Sequence, residues 1–317
     1  LHTVLGKDAQ LHLVGGTVRD VALGETPLDF DLTVVYRPED VSKKLEAKGI
    51  HVVPTGIEHG TVTAVFGSSH IEITSFRVPS PRDPGEAGQH YSDTIEQDLA
   101  GRDFTINAIA YSLDNKQLID PFSGLDDLKQ GVLRAVENPD LRFSEDPLRI
   151  MRMVRFGRAA GRIVDPETFA AAKLRAAELQ RISIERIRDE LIKILCAPCA
   201  AAGFRELHIL GLLKHALPEL LPAVGFEQNQ FHHLDVFEHT LAVIENCPAE
   251  IVLRLTALFH DLGKPHTLTI GDDGMRHFYR HEIVSDELTM QAIQRLRFSK
   301  DLTRRVRRLV RDGRLPH

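Results

Sequence analysis

The spacing of apolar and polar positions predicts strands in the first part of the chain and helices in the rest. Alternation with period two predicts short strands at residues 11–14, 29–35, 60–66, 70–76 and 107–113. After about Val136 the apolar residues follow a helical period almost throughout, with helix starts near Ser144, Asp165 and Ser183. We therefore predict an α+β fold, with a mixed-sheet head followed by helices.

Two breaks in this pattern divide the chain into three predicted domains. One break lies near Val136, and the other near Gly225, where a short segment carries two prolines before the glycine. The predicted domains are a head at 1–136, an all-α body at 137–225 and an α-helical domain at 226–317. The chain begins with Leu1 and stops directly after a helical segment, which leaves open that its ends are trimmed and that a tail domain is missing.

Composition narrows the class of protein. The 317 residues are 43% hydrophobic and 26% charged, as expected for a globular protein with real cores. No stretch approaches the about 20 apolar residues of a membrane helix, and no signal pattern begins the chain, so we expect a cytoplasmic protein without a membrane partner. The net charge of -6 gives no general attraction to nucleic acid, so any RNA contact needs local basic stripes.

A strand, a glycine pair and a helix start follow one another near the N-terminus. The strand at 11–14 runs into Gly15 and Gly16, and the next helix carries Arg19 in its first turn. Glycines let backbone N–H groups approach a triphosphate, and an arginine adds a planar cation. A structural turn without a ligand is the alternative that this short pattern leaves open.

Two carboxylates follow on the next predicted strand. In the segment from Leu28 to Leu32, Asp29 and Asp31 alternate with apolar residues, so both carboxylates are expected on one face, with Phe30 and Leu32 in the core. Neighbouring anions repel each other unless a cation lies between them, and Mg²⁺ with substrate phosphates is the usual solution. A solvated edge strand is the alternative.

A second alternating strand places Glu72 between Ile71 and Ile73, so Glu72 is a candidate third carboxylate. In a two-metal mechanism one ion helps to ionise the attacking hydroxyl and the other neutralises the triphosphate. A plain surface position for Glu72 stays open.

Four motifs appear in one order: Gly15-Gly16-x-x-Arg19-Asp20, Asp29-x-Asp31, Gly101-Arg-Asp-Phe-Thr-Ile-Asn-Ala108 and Glu145-Asp-Pro-Leu-Arg149. Together they resemble the class II tRNA nucleotidyltransferases, the family of bacterial CCA-adding enzymes and poly(A) polymerases. The resemblance implies that Gly16, Arg19 and Arg102 contact the nucleotide and that Asp29 and Asp31 hold Mg²⁺. It also implies addition of C, A or both to the 3′ end of tRNA from CTP and ATP, without a nucleic-acid template.

The fourth motif predicts a helix capped near Ser144, with Asp146 and Arg149 three residues apart on one face. A carboxylate accepts hydrogen bonds from an exocyclic amino group, and a guanidinium donates to ring acceptors, so the pair could imitate the edge of a base. The resemblance implies this role in selecting C or A. An ordinary intrahelical ion pair is the alternative.

The same helix continues as a stripe of arginines at intervals of three, from Arg149 to Arg158. Such a stripe usually marks a solvated face. Because the family places cations there for nucleotide phosphate, the resemblance makes Arg149, Arg152 and Arg155 nucleotide-binding candidates.

Histidines near the C-terminus predict a second site. His239, the pair His260-Asp261 and His281 have the spacing of an HD-type metal domain, and this donor set suits a divalent transition metal that activates water on a phosphoester. Chance clustering is the alternative, since the chain has 16 histidines. Neither Asp286 nor Asp301 is singled out as a further ligand. Arginines between 304 and 311 predict a basic helix, either a tRNA backbone surface or a solvated face.

Two rival functions remain from the sequence. Poly(A) polymerase is the runner-up within the family. A phosphohydrolase whose head only senses nucleotide is the rival from another class, and the Asp29 and Asp31 pair argues against it. The Pro- and Gly-punctuated segment 78–88 is expected to be a loop. The resemblance implies that this loop influences the choice between C and A.

Overall fold

A computed structural model of the chain describes residues 1–27, 29–57, 60–67, 69–78, 90–228, 233–272 and 274–313. The chain forms two compact units: one holds residues 1–146 with 165–168, and the other holds 147–164 with 169–317. The predicted boundaries near Val136 and Gly225 stay predictions. Almost all of the predicted loop at 78–88 lies outside the described residues, so its role also stays a prediction.

A seven-stranded mixed sheet forms the centre of the first unit. Its strands are β1 (His12–Val14), β2 (Asp31–Val34), β3 (His51–Gly56), β4 (Thr61–Phe66), β5 (Ser69–Ser75), β6 (Ala110–Ser112) and β7 (Leu118–Ile119), and a short β8 (Val132–Leu133) follows. The order across the sheet is β3-β4-β5-β2-β1-β6-β7. Strands β2 and β5 pair in parallel, whereas the other neighbours pair antiparallel. The predicted mixed-sheet head is confirmed.

Alternating side chains attach one face of this sheet to a helix. Val62 and Ala64 of β4 are buried, while the alternate residues Thr61 and Thr63 are partly exposed. They pack in one cluster with Ile73 of β5 and with Val41 and Leu45 of a helix. That helix is α3; the first unit contains α1 (His2–Leu5), α2 (Gly16–Ala22), α3 (Pro38–Glu46), α4 (Ile95–Ala100), α5 (Gly124–Gln130) and α6 (Pro139–Glu145).

Strand β2 is shorter than predicted. It begins at Asp31, so Asp29 and Phe30 precede the hydrogen-bonded part of the strand. Phe30 is 49% exposed, and the prediction that it packs in the core is wrong. Alternation sets the direction of a side chain only where the backbone is paired, and pairing starts one residue after Phe30. Leu32 is buried as predicted.

The second unit is helical. Its elements are α7 (Leu148–Phe156), β9 (Ile163–Val164), most of α8 (Pro166–Arg175), α9 (Ile184–Leu195), α10 (Ala200–Ile209), α11 (Leu213–Ala216), α12 (Val236–Asn246), α13 (Ile251–Phe259), β10 (Thr269–Ile270), β11 (Arg276–His277), α14 (His281–Arg295) and α15 (Lys300–Asp312). In α9 the buried residues Ile187, Leu191 and Ile194 follow the helical period. Helices α10 and α11 are separate because Gly211, which lies between them, adopts a left-handed conformation with φ 70°.

None of the helices in the described part of the chain is long and apolar enough to cross a membrane.

Candidate active site

Three carboxylates of the first unit line one cavity. It has a volume of about 440 Å³, and its lining consists of Asp29, Phe30, Asp31, Val53, Thr63, His70 and Glu72. Asp31 lies opposite Glu72 in the parallel pair of β2 and β5, so the sheet register brings these two side chains together. The structure thus places all three predicted metal-ligating carboxylates of the head, Glu72 included, around one cavity.

Among the residues that the structure describes, no lysine or arginine forms an ion pair with Asp29, Asp31 or Glu72. Burial raises the pKa of Asp31, the charge of Arg102 opposes this shift, and the charge of Asp29 adds to it. A divalent cation would remove the repulsion between the carboxylates, so this donor set fits Mg²⁺.

A buried threonine holds the two aspartates in place. The Thr17 hydroxyl accepts a hydrogen bond from the Asp31 backbone N–H at 2.9 Å and donates to the Asp29 carbonyl oxygen at 3.1 Å. These two hydrogen bonds bind the backbone directly before β2, where strand pairing is missing. The sequence analysis overlooked Thr17, although its position directly after the glycine pair was a usable signal.

The glycine turn allows an arginine to approach closely. Gly15 has φ 62° and ψ -126°, a conformation that is strained for residues with a side chain. A Cβ atom at Gly15 would lie 2.8 Å from Nη1 of Arg102, and one at Gly16 would lie 3.7 Å from Oδ2 of Asp31. The glycines therefore bring the backbone next to Arg102 and Asp31. Phosphate binding by this turn stays a prediction.

A network of polar side chains orients Arg19. Its Nη1 donates to Asn107 Oδ1 at 2.8 Å, and its Nε and Nη2 donate to Asp20 Oδ1 at 3.0 and 2.7 Å. Asn107 Nδ2 in turn donates to Asp103 Oδ1 at 3.1 Å. Asp103 and Asn107 are buried. In this structure both residues position Arg19, a role that spacing alone did not indicate.

His70 was also overlooked. It lines the carboxylate cavity and lies two residues before Glu72 on β5, hence on the same face of the sheet. That alternation was available in the sequence.

The fourth motif is built differently from the prediction. Helix α6 ends at Glu145, Asp146 is extended with φ -146° and ψ 97°, and α7 begins only at Leu148. The prediction of one helix starting near Ser144, with Asp146 and Arg149 on a shared face, is wrong. Proline disfavours the helical conformation of the residue before it, so Pro147 forces the break at Asp146. The roles of Asp146 and Arg149 in base selection stay predictions.

Helix α7 carries the predicted arginines Arg149, Arg152 and Arg155, while Leu148, Met151 and Val154 are buried as expected from the spacing. The Arg155 Nε lies 3.0 Å from Glu190 Oε2. Arg155 thus has a structural partner in its own unit, and nucleotide contact by this stripe stays a prediction.

The second unit brings together the four predicted metal ligands near its C-terminal helices. His239 belongs to α12, His260 and Asp261 follow α13, and His281 begins α14. Ligand atoms of His239, His260 and Asp261 all lie within 4.8 Å of one another. His281 Nε2 lies 3.4 Å from Asp261 Oδ1. The Nδ1 atoms of His260 and His281 contact the carbonyl oxygens of Ala257 and Phe278 at 2.8 and 2.9 Å, which leaves Nε2 for a ligand, so the donor set fits a transition metal.

A lysine that the sequence analysis overlooked enters this cluster. Lys264 Nζ lies 2.7 Å from Asp261 Oδ2. Burial acts to raise the pKa of Asp261, but hydrogen bonds from His260 and His281 outweigh it and hold that pKa below its usual range. The hydrogen bond to Asp261 raises the pKa of His281. Protein cations therefore already neutralise Asp261, and a metal would compete with Lys264.

The aspartates considered as further ligands have other partners. Arg307 of α15 donates to both oxygens of Asp286 at 2.7 and 2.8 Å, and Arg304 donates to Asp301 at 2.5 Å. The predicted basic helix forms as α15, but its Arg307 pairs with the buried Asp286 within the second unit. Binding of tRNA backbone by the remaining arginines stays a prediction.

Comparison with known proteins places this geometry in a family. The Poly A polymerase head domain family matches residues 11–134, and the family described as the probable RNA and SrmB-binding site of polymerase A matches residues 163–224. The A-adding tRNA nucleotidyltransferase of Deinococcus radiodurans is 36% identical over 310 residues, which are 94% of this chain and 67% of that protein. The chain belongs to the class II tRNA nucleotidyltransferases.

Other members of the family are longer than the matched region. A CCA-adding enzyme of Lactobacillus helveticus is 40% identical over 207 residues, which are 65% of this chain and 51% of that enzyme. The chain therefore spans about half the length of that relative. The crystal structure of the Bacillus stearothermophilus CCA-adding enzyme in complex with CTP is similar with a TM-score of 0.66 and 26% identity, over 96% of this chain and 74% of that one. The predicted fold class is confirmed by this similarity.

Proposed function

We propose that this nucleotidyltransferase adds C, A or both to the 3′ end of tRNA from CTP and ATP, without a nucleic-acid template. The observation that carries the proposal is the set of three carboxylates around one cavity, which lacks an ion-pair partner among the described residues. Family membership supports the reaction class, and CCA-adding and A-adding relatives support tRNA as the partner. The expected cellular location is the cytoplasm.

The carboxylates of Asp29 and Asp31 would hold Mg²⁺, with Glu72 as a further ligand. Mg²⁺ bound there supplies the charge that neutralises the triphosphate and assists ionisation of the attacking 3′-hydroxyl. Thr17 keeps the two aspartates at a fixed separation through its two backbone hydrogen bonds. The protein thereby places the negative charge in advance, which avoids reorganisation during the reaction.

Gly16, Arg19 and Arg102 would bind the triphosphate. Arg102 lies against Gly15, where only the absence of a side chain permits it, and Arg19 is held by Asp20 and Asn107. Fixed guanidinium groups bind phosphate oxygens with little loss of side-chain entropy. These residues would orient the α-phosphate for attack and stabilise the pyrophosphate as it leaves.

Base selection is assigned to Asp146 and Arg149, and Arg152 and Arg155 are assigned to nucleotide binding. Cytosine and adenine both present an amino donor beside a ring acceptor, which complements a carboxylate and a guanidinium. Uracil and guanine present a carbonyl in place of the amino group, so UTP and GTP should be rejected.

We place addition of the terminal A first, because in sequence the A-adding enzyme of Deinococcus radiodurans aligns over 94% of this chain, whereas the CCA-adding enzyme of Lactobacillus helveticus aligns over 65%. The decisive experiment uses tRNA lacking the last one, two or three nucleotides, with CTP or ATP supplied separately. An A-adding enzyme extends only tRNA that ends in CC, and only with ATP. Long A tails on an unrelated RNA would instead identify a poly(A) polymerase, and no extension of any RNA would favour a nucleotide-sensing head.

A second activity is proposed for the HD-type cluster of His239, His260, Asp261 and His281. The close approach of their ligand atoms favours a divalent transition metal and hydrolysis of phosphoesters. Phosphatase and cyclic phosphodiesterase assays with Mn²⁺, Co²⁺ and Ni²⁺ test it. Activity that survives Asp31→Ala but not Asp261→Ala would support it, and activity retained in Asp261→Ala would contradict it.

A further inference from the structure

Helix α4 of the first unit contains a buried carboxylate with two different partners. Asp98 is 4% exposed. Its Oδ2 accepts a hydrogen bond from Arg102 Nη2 at 3.1 Å, and its Oδ1 accepts one from the Arg77 backbone N–H at 3.0 Å. Asp98 does not line the carboxylate cavity.

The first partner, Arg102, depends on Asp98 for its position. Among the described residues, Asp98 is the one acidic side chain that forms an ion pair with Arg102. The other end of the guanidinium, Nη1, lies against Gly15 and makes only a long contact of 3.5 Å with the Asn107 carbonyl oxygen. The Arg102 Nε is buried without a hydrogen-bond partner in the described structure. Without Asp98, the guanidinium would keep only this long contact and the attraction of the Asp31 charge, and no short hydrogen bond among the described residues would fix its orientation.

The second partner belongs to a short stem in which residues 76–78 and 90–92 pair antiparallel. The Val78 N–H donates to the His90 carbonyl oxygen at 2.8 Å, and the Ser92 N–H donates to the Phe76 carbonyl oxygen at 3.0 Å. Arg77 and Tyr91 form the β-bridge between these hydrogen bonds. Asp98 therefore connects the stem at the end of β5 to the arginine beside the glycine turn.

We propose that Asp98 is a positioning residue for the nucleoside triphosphate, which holds Arg102 in its phosphate-binding orientation and links that orientation to the stem. This inference rests on the proposed nucleotidyl transfer. The carboxylate does not reach the substrate; it acts through Arg102. Asp98→Asn keeps an oxygen for the Arg77 N–H but removes the charge that fixes the guanidinium, so it separates the two contacts.

The test compares Asp98→Asn with Asp127→Asn, a matched change at another buried aspartate of the same unit that pairs with Arg134. We expect Asp98→Asn to raise the KM for ATP or CTP in tRNA extension and the Kd of the nucleotide by about tenfold or more, with a much smaller change in kcat. Asp127→Asn should lower the Tm and leave KM unchanged. Equal changes in KM for both variants would overturn the proposal.

A double-mutant cycle with Arg102→Ala decides whether Asp98 acts through Arg102. The double variant should bind nucleotide no more weakly than Arg102→Ala alone, because the same interaction is already lost. Additive losses would overturn the proposal. The cycle is measured as equilibrium binding of CTP and ATP, so it remains decisive if the chain binds nucleotide but does not extend tRNA, a result that contradicts only the proposed function. A wild-type chain that binds neither nucleotide would overturn both.

Discussion

The two candidate sites, one in each compact unit, differ in whether their negative charge is paired with cationic side chains of the protein. In the head cavity Asp31 is partly buried beside Asp29, burial raises its pKa, and no ion pair with a described residue compensates. In the second unit Asp261 is buried but has Lys264 at 2.7 Å and three imidazoles within 3.5 Å. Its pKa is held low.

This difference indicates which site depends more on an added cation. A carboxylate without a protein partner is destabilising until a cation binds, so under the proposed function we expect the head cavity to take up Mg²⁺ together with the substrate phosphates. A carboxylate that already pairs with protein cations is stable without a metal. A metal at Asp261 would therefore add only the stabilisation that exceeds what Lys264 already provides. The unpaired charge of the head cavity thus distinguishes it from the cluster around Asp261, whose charge the protein itself neutralises.

The largest expected effect concerns the head. Asp29→Ala and Asp31→Ala should each lower nucleotide addition by at least about 10²-fold, because a lost ligand weakens both metal binding and charge neutralisation in the transition state. The control is Asp126→Ala, an exposed acid of the same unit that pairs with Lys129. Initial rates of tRNA extension give the result, and wild-type rates in the aspartate variants would contradict the assignment.

Replacing Asp261 and Asp31 by asparagine should change the free energy of unfolding in opposite directions. Asp261→Asn leaves protein cations without their buried partner, which should cost about 3–5 kcal/mol of unfolding free energy. Asp31→Asn removes an unpaired charge, so without Mg²⁺ it should raise the unfolding midpoint of the head. Chemical denaturation at neutral pH in EDTA measures both. Destabilisation by both variants would end the distinction between the two sites.

A third buried carboxylate gives a pH dependence of intermediate size. Burial raises the pKa of Glu206 to about 7, and Arg158, 3.6 Å away and half exposed, only partly opposes this. The folded state thus retains a proton that the unfolded state has lost, and stability falls as pH rises from about 4.5 to about 7, by on the order of 3 kcal/mol. In thermal unfolding, the Tm of Glu206→Gln should equal that of the wild type at pH 4.5 and exceed it at pH 8. If the difference in Tm between Glu206→Gln and the wild type does not vary with pH, the charge of Glu206 does not cause it.

The smallest expected effect concerns the choice of base. Asp146→Ala should reduce the preference for CTP or ATP over UTP by about ten- to a hundred-fold, because one unpaired polar group costs about 1–3 kcal/mol. Competition between labelled nucleotides measures the ratio, and Arg149→Ala is the companion variant. The alternative, a purely structural role for Asp146 at the break between α6 and α7, predicts a lower Tm with an unchanged ratio.

The local parts of the candidate site could be predicted because each depends on neighbours in sequence. Gly15 and Gly16 follow a strand, Asp29 and Asp31 are two apart, and Glu72 alternates with isoleucines, so spacing alone identified these candidates. The break at Asp146 was also encoded locally, in Pro147, although the helical period of the surrounding residues predicted one continuous helix.

Sequence by itself determined which chemical groups this protein presents and, through its motif order, the family to which it belongs. Only the tertiary structure decided which charges are paired. The parallel register brought Glu72 next to Asp31, and Lys264 reached Asp261 within its own cluster. Asp98 contacted both Arg102 and the backbone of Arg77, which is 21 residues away. Hydrophobic periodicity sets the burial of a face, whereas an ion pair depends on distances of a few ångströms between side chains, often from different elements, and no pattern along a single element contains those distances.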